Sequence, residues 1–308
     1  MTESSRRLPV IQPGSGEGAP PLFDKLAVVG LGLIGGSIAL AARQLWPKSL
    51  VIGVDDKDVL ERAMVRHAID VAADDPVVMG EADLVVLAAP VEQNIELLSE
   101  LEHDISGEAI VTDVSSTKRR IVEQSRCLPS RLQFIGGHPL GGAPQPGIDY
   151  ARPDLFKGRP WLFTPTDDSA GPSLERLQNF AIALGAVPHV MTAATHDRLL
   201  AFLSHLPQLA ASTLMHVVGE HAGAEGLALT GRGLADTTRL AASPATIWRD
   251  ICSTNADEIT AALDALITEL QTLRENVNDP EGVARVFDSA VSWRSILTRQ
   301  TQSRKPDA

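Results

Sequence analysis

Short, nearly continuous apolar runs alternate with amphipathic stretches along the first two thirds of the chain. Residues 26–29, 50–54, 84–87, 109–112 and 133–135 each read as a buried strand. Stretches near 34–46, 57–67, 92–102 and 116–127 lie between them and predict helices. A strand buried on both faces is apolar throughout rather than at every second position. The alternation therefore predicts a parallel sheet covered by helices on both sides. Residues 161–163 and 187–190, flanking a helix near 172–184, extend that sheet.

After about Thr192 the strand signals stop and apolar residues recur at helical spacing. Ile259, Leu263, Leu266, Leu270 and Leu273 follow a 4-3-4-3 pattern, an apolar seam along one helix. Such a seam needs a partner, either another helix of the same chain or a second copy of it. Residues 1–23 include the run Pro13-Gly14-Ser15-Gly16-Glu17-Gly18-Ala19-Pro20-Pro21 and read as a disordered leader that cannot bury a core. The polar end, from about Gln302, is expected to fray. The expected organisation is a leader at 1–23, an α/β domain at 24–191 and a helical domain at 192–302, and 308 residues suit two domains.

Charge narrows the partners. With 27 Lys+Arg against 39 Asp+Glu the net charge is −12, which argues against nucleic acid or an anionic membrane surface as partner. Two cysteines, Cys127 and Cys252, are too few and too far apart for a disulfide framework or a CxxC metal or redox site, and no metal is expected. They suit a reducing cytoplasm. No apolar run approaches the roughly 18 residues of a membrane span, and the N-terminus lacks the apolar stretch of a signal peptide.

The chemistry gathers where predicted strands end. Gly30-Leu31-Gly32-Leu33-Ile34-Gly35 follows the first strand and opens a helix, the context in which a GxGxxG motif binds a dinucleotide. Gly30 makes the turn, Gly32 lets the backbone approach a pyrophosphate, and Gly35 lets helix and strand pack. Asp55 lies twenty residues past Gly35, at the end of the next strand. A carboxylate there accepts from the ribose hydroxyls of NAD and repels the 2′-phosphate of NADP, with Asp56 beside it adding charge. Its other reading is a strand-end cap. These features define the α/β part as a Rossmann-type doubly wound sheet. The loop Ala88-Ala89-Pro90-Val91 leaves a further strand at the ligand end, either to admit the nicotinamide half or as a plain turn.

Asp113-Val114-Ser115-Ser116-Thr117-Lys118 and Gly136-Gly137-His138-Pro139-Leu140-Gly141-Gly142 leave two later strands at the same end. The serines either cap the next helix or face the nicotinamide, and Lys118 is either a cation for an acidic substrate or a solvated helix residue. The glycines around His138 allow the backbone to turn tightly about one imidazole, which titrates near neutral pH. Pro207 interrupts a helical run from Leu199 to Val217. It removes an N–H, so the carbonyl of Leu203 loses its helical partner and a kink is expected beside Ser204 and His205.

Together, GLGLIGGS at Gly30, DVSSTK at Asp113, GGHPLGG at Gly136, Ser204-His205-Leu206-Pro207 and Asp236-Thr237-Thr238-Arg239-Leu240-Ala241-Ala242-Ser243-Pro244 followed by Ile247-Trp248-Arg249-Asp250-Ile251 resemble the prephenate/arogenate dehydrogenases of tyrosine biosynthesis. The resemblance runs from about Leu26 to Arg274. It implies a helical domain that dimerises and NAD(P)-dependent oxidative decarboxylation of a cyclohexadienol. It implies His138 as base for the ring hydroxyl and Ser116 as the group that orients it and the nicotinamide. It further implies Arg239 on the ring carboxylate, Ser204 and His205 lining the pocket, and Trp248 closing it. Arg239 otherwise reads as a helix arginine paired with Asp236.

Two positions depart from the family pattern. Gln208 stands where many prephenate-preferring members carry histidine, and the loop Leu140 to Gly147 lacks the usual Met-Ala-Gly. Both positions are expected to touch the substrate's side chain, which leaves prephenate, arogenate and an amino-substituted analogue open. The competing readings are another NAD(P) oxidoreductase with a helical dimer domain, or an NAD-binding protein without turnover. The absence of lysine from residues 192–278 argues against a β-hydroxyacid dehydrogenase.

Overall fold

The structure, a computed structural model, describes residues 20–142 and 145–302. Eight strands form one sheet: β1 (Lys25–Val29), β2 (Leu50–Val54), β3 (Val71–Ala73), β4 (Leu84–Leu87), β5 (Ala109–Asp113), β6 (Leu132–Pro139), β7 (Pro160–Pro165) and β8 (Val187–Val190). Alternate residues of one strand feed different cores. Leu26 and Val28 pack into one apolar cluster, Ala27 and Val29 into another, and β4 divides the same way. Both faces are buried, which is why these strands read as continuous apolar runs.

The strand order is β3-β2-β1-β4-β5-β6-β7-β8. From β1 the chain winds outward through β2 and β3, then returns to β4 on the other side of β1. Ligands of such sheets sit beyond the carboxyl ends of the strands at this reversal. Pairing is parallel from β3 through β6, while β7 runs antiparallel to β6 and parallel to β8. The expected parallel sheet is therefore mostly parallel, with β7 reversed against β6.

Most of the expected leader lies outside the described residues. Its final residue, Phe23, belongs instead to the core: it is buried, packs edge-on to Phe180 and carries the Arg176 guanidinium over its ring. The expected fraying beyond Gln302 also lies outside the described residues.

The chain divides into two compact units, Met1–His196 and Asp197–Ala308. Among its described residues the second unit is helical throughout, ending in the helices Ala256–Glu275 and Pro280–Gln302. At Pro207 the helix is not simply kinked. It widens into a π-turn over Ala201–His205, where Leu206 N–H bonds to the Ala201 carbonyl, and α-helix resumes over Leu206–Leu227, broken by non-helical backbone at Gly223 (φ 61°). One extra residue in the turn makes room for the proline ring, and π-turns of this kind recur at functional sites. The apolar seam is split. Ile259 is buried with Ala201, Ile251 and Ala262, and Leu263 packs against them, but Leu270 is 54% exposed.

Candidate active site

The glycine-rich turn fits a dinucleotide. Gly30 has a positive φ of 91°, and a Cβ there would lie 2.6 Å from the backbone of Ala88. At Gly32 an added Cβ would meet nothing within 4 Å, which is the open approach a pyrophosphate needs. Leu33 and Ile34 are half-buried at the start of the helix Leu33–Leu45, and Gly35 is buried. That helix has no side-chain cap and no acidic residue in its first turn. No side chain of its first turn therefore competes with an anion for its N–H groups. Asp55 is half-buried at the end of β2 and also braces the turn. Its Oδ2 accepts from Leu31 N at 2.5 Å and its Oδ1 from Asp56 N at 2.7 Å.

The β4 and β5 loops are tied together. Asn94, fully buried, reaches the carbonyls of Ala89 at 2.9 Å and Leu87 at 3.2 Å and the hydroxyl of Ser115 at 3.0 Å. Pro90 sits exposed at the start of the helix Val91–Leu98. Neither serine caps the short helix Arg119–Gln124. Ser115 is buried in this network, and Ser116 is half-buried.

Lys118 answers to neither reading of the sequence. It is fully buried, ion-paired with the fully buried Asp113, and donates to the carbonyl of Gly137 at 2.7 Å. Asp113 in turn accepts from Gly137 N at 3.0 Å and from Ser115 N at 2.9 Å. The pair thus clamps the backbone immediately before His138. Gly136 and Gly137 lie in β6 rather than in a turn. Gly137 is needed for close approach, since a Cβ there would lie 2.5 Å from the Asp113 carbonyl oxygen.

His138 is half-buried near the carboxyl end of β6. Its Nδ1 lies 2.9 Å from Nε2 of His196, which is fully buried. The rings are tilted by 56° with centroids 5.1 Å apart. His138 is thus in hydrogen-bond contact with a histidine that the sequence did not single out.

In the second unit His205 is buried, with Asn255 Nδ2 at 3.4 Å from its Nδ1 and Trp248 edge-on at 6.1 Å. Asn255 also donates to the Asp197 carbonyl at 3.0 Å. Ser204 is half-buried. Gln208 is buried and its amide is committed: Nε2 donates to the Leu240 carbonyl at 2.7 Å and the Ser212 hydroxyl at 3.2 Å, while Oε1 accepts from Ser243 at 3.2 Å. It ties down the turn Arg239–Ala242. Arg239 is exposed on that turn and, among the described residues, has no ion-pair partner; the Asp236 pairing does not form.

A Rossmann-type cradle, a braced carboxylate and a clamped imidazole at the ligand end of the sheet define a dinucleotide-dependent oxidoreductase. Two family models place it further: residues 38–190 match the nucleotide-binding domain of prephenate dehydrogenase and residues 192–288 its dimerization domain. The chain belongs to the prephenate dehydrogenase family. It is 36% identical over 284 residues to the prephenate dehydrogenase of Bacillus subtilis (strain 168), covering 89% of this chain and 76% of that one. Among solved structures it resembles prephenate dehydrogenase from A. aeolicus in complex with hydroxyphenyl propionate and NAD+, with a TM-score of 0.82, 26% identity and coverage of 89% and 98%. It also resembles Synechocystis arogenate dehydrogenase, with a TM-score of 0.76, 29% identity and coverage of 89% and 99%.

Proposed function

We propose that this protein catalyses the NAD-dependent oxidative decarboxylation of a cyclohexadienol, prephenate or arogenate, giving 4-hydroxyphenylpyruvate or tyrosine. The observation that carries the reading is a half-buried imidazole, His138, held by a second, buried imidazole in the same unit as a dinucleotide cradle. Bound NAD would supply the acceptor for the hydride that leaves the ring carbon bearing the hydroxyl. His138 takes the hydroxyl proton, so the oxygen becomes a carbonyl. The bond to the ring carboxylate then breaks, carbon dioxide leaves, and its electron pair aromatises the ring. His138 returns the proton to the phenolate oxygen, so no net proton is released.

The cradle is assigned to Gly30, Gly32, Leu33, Ile34 and Gly35, with Ala89 and Pro90 on the nicotinamide side. Asp55 takes the ribose hydroxyls, since each of its oxygens retains a lone pair beyond its backbone bond. The ring carboxylate is assigned to Arg239, whose planar fork suits it and whose charge is uncommitted. Ser116 faces the nicotinamide, and Ser204, His205 and Trp248 serve the substrate pocket. The helical unit makes a homodimer, supported by exposed Phe287, Val291 and Trp293 on its last helix. The reading extends to a cytoplasmic enzyme, in keeping with two free cysteines, and to no nucleic-acid partner, in keeping with the charge. Among the described residues no helix is long and apolar enough to cross a membrane.

The test mixes the protein with NAD or NADP and with prephenate or arogenate and follows the reduced cofactor. Reduction with NAD and at least one of the two substrates is expected. No reduction in any combination overturns the reading.

A further inference from the structure

Resting on that reading, we propose that His196 is a positioning residue: its Nε2 accepts the Nδ1–H of His138 and thereby fixes His138 in the tautomer whose Nε2 can act as base. The two nitrogens are 2.9 Å apart, a full hydrogen bond. Such a bond needs one donor and one acceptor, so two imidazolium rings cannot form it. Two arrangements remain. If His196 Nε2–H donates to His138 Nδ1, then His138 carries its proton on Nε2 and has no lone pair there for a substrate. If His138 Nδ1–H donates, its Nε2 lone pair is available. Because Nδ1 is committed to His196, only the second arrangement lets His138 work as a base without breaking the contact.

His196 is placed to do this rigidly. It lies on the helix Ala193–Leu200 and is fully buried, so its ring is held by packing rather than by solvent. Opposite it, the backbone of His138 is fixed by the Asp113–Lys118 clamp on Gly137. When His138 takes a proton, the resulting imidazolium still donates from Nδ1, and His196 still accepts. The same contact thus serves both protonation states, as a carboxylate does for the histidine of a hydrolase triad, but with a neutral acceptor.

The test uses the full-length protein with three variants. Wild type labelled with 15N-histidine is assigned against His138→Asn. At a pH where His138 is neutral, its 15N shifts should report the Nδ1–H tautomer, and a dominant Nε2–H tautomer would overturn the proposal whatever the activity. His196→Leu, which keeps bulk and removes the acceptor, should lose the Nδ1–H preference and lower kcat roughly 10- to 100-fold, within the range of a compromised base, with KM for NAD changed less than about twofold. His196→Gln, which can accept through its amide oxygen, should recover most of the rate. A His196→Leu enzyme with wild-type kcat, or equal losses in Leu and Gln, would also overturn it. If wild type itself turned over neither substrate, the proposed function would fall while the tautomer measurement still stood.

Discussion

Lys118 and Asp113 form a fully buried ion pair at the carboxyl end of β5, and both reach across to the backbone of Gly137 in β6. The carboxylate accepts the Gly137 N–H and the ammonium donates to the Gly137 carbonyl, so the residue before His138 is gripped on both sides. Taking one partner away leaves the other charged and buried, which costs about 3–5 kcal/mol. Lys118→Met should therefore lower the urea unfolding free energy by roughly that amount. It should also lower kcat more than it raises KM for NAD, because it frees the His138 backbone. Unchanged unfolding would mean that the pair contributes nothing net.

Asp55 has two tasks with separable signatures. Its charge opposes a 2′-phosphate, and its oxygens hold Leu31 N and Asp56 N. Asp55→Asn should weaken the preference for NAD over NADP by about tenfold, equivalent to ~1.4 kcal/mol. It should also raise KM for NAD, because an amide accepts at only one of its two positions. Steady-state kinetics with both cofactors separate the effects. A wild-type enzyme that prefers NADP would contradict the assignment.

Gln208 ties Leu206–Leu227 to the turn that carries Arg239 through Leu240 and Ser243. Gln208→Leu removes the bonds that join helix and turn, at a cost of about 0.5–1.5 kcal/mol each, while the Leu240 carbonyl keeps the Ser243 N–H. If Arg239 holds the ring carboxylate, which prephenate and arogenate share, kcat/KM should fall alike for both substrates. A fall for one substrate alone would show that Gln208 reads the side chain directly.

Phe287 is 63% exposed and Trp293 69% exposed on the helix Pro280–Gln302. Burying side chains of this size stabilises by about 1.5–3 kcal/mol each, so a second copy has much to gain by covering them. Sedimentation should show a dimer, and the double variant Phe287→Glu/Trp293→Glu should shift it toward monomer. A wild-type monomer that is stable and active would count against the homodimer.

The strands were legible because burial on both faces writes itself into the sequence as unbroken apolar runs, as in β1, β4 and β5. β3 was missed because three residues following Asp70 are too short to form such a run. Pro207 announced a backbone discontinuity, but its resolution as a π-turn depends on packing around Ala201. The cradle and His138 could be read because glycines and a His-Pro step mark them locally. Lys118 and His196 could not, since their meaning lies in partners distant along the chain: Gly137, 19 residues on, and His138, 58 residues back. One signal for His196 was present. It lies one helical turn before Leu200, on the face that becomes buried, and a polar residue there calls for a partner.

The base itself is the most direct thing to remove. His138→Asn keeps a polar side chain of similar reach but cannot take a proton. With NAD and substrate saturating, kcat should fall about 100-fold or more while the dissociation constant for NAD changes by less than about twofold. The wild-type rate should decline as pH drops through the titration of His138 in the complex, and the variant should lack that decline. A His138→Asn enzyme turning over near the wild-type rate, with the same pH profile, would contradict the assignment of His138 as the base.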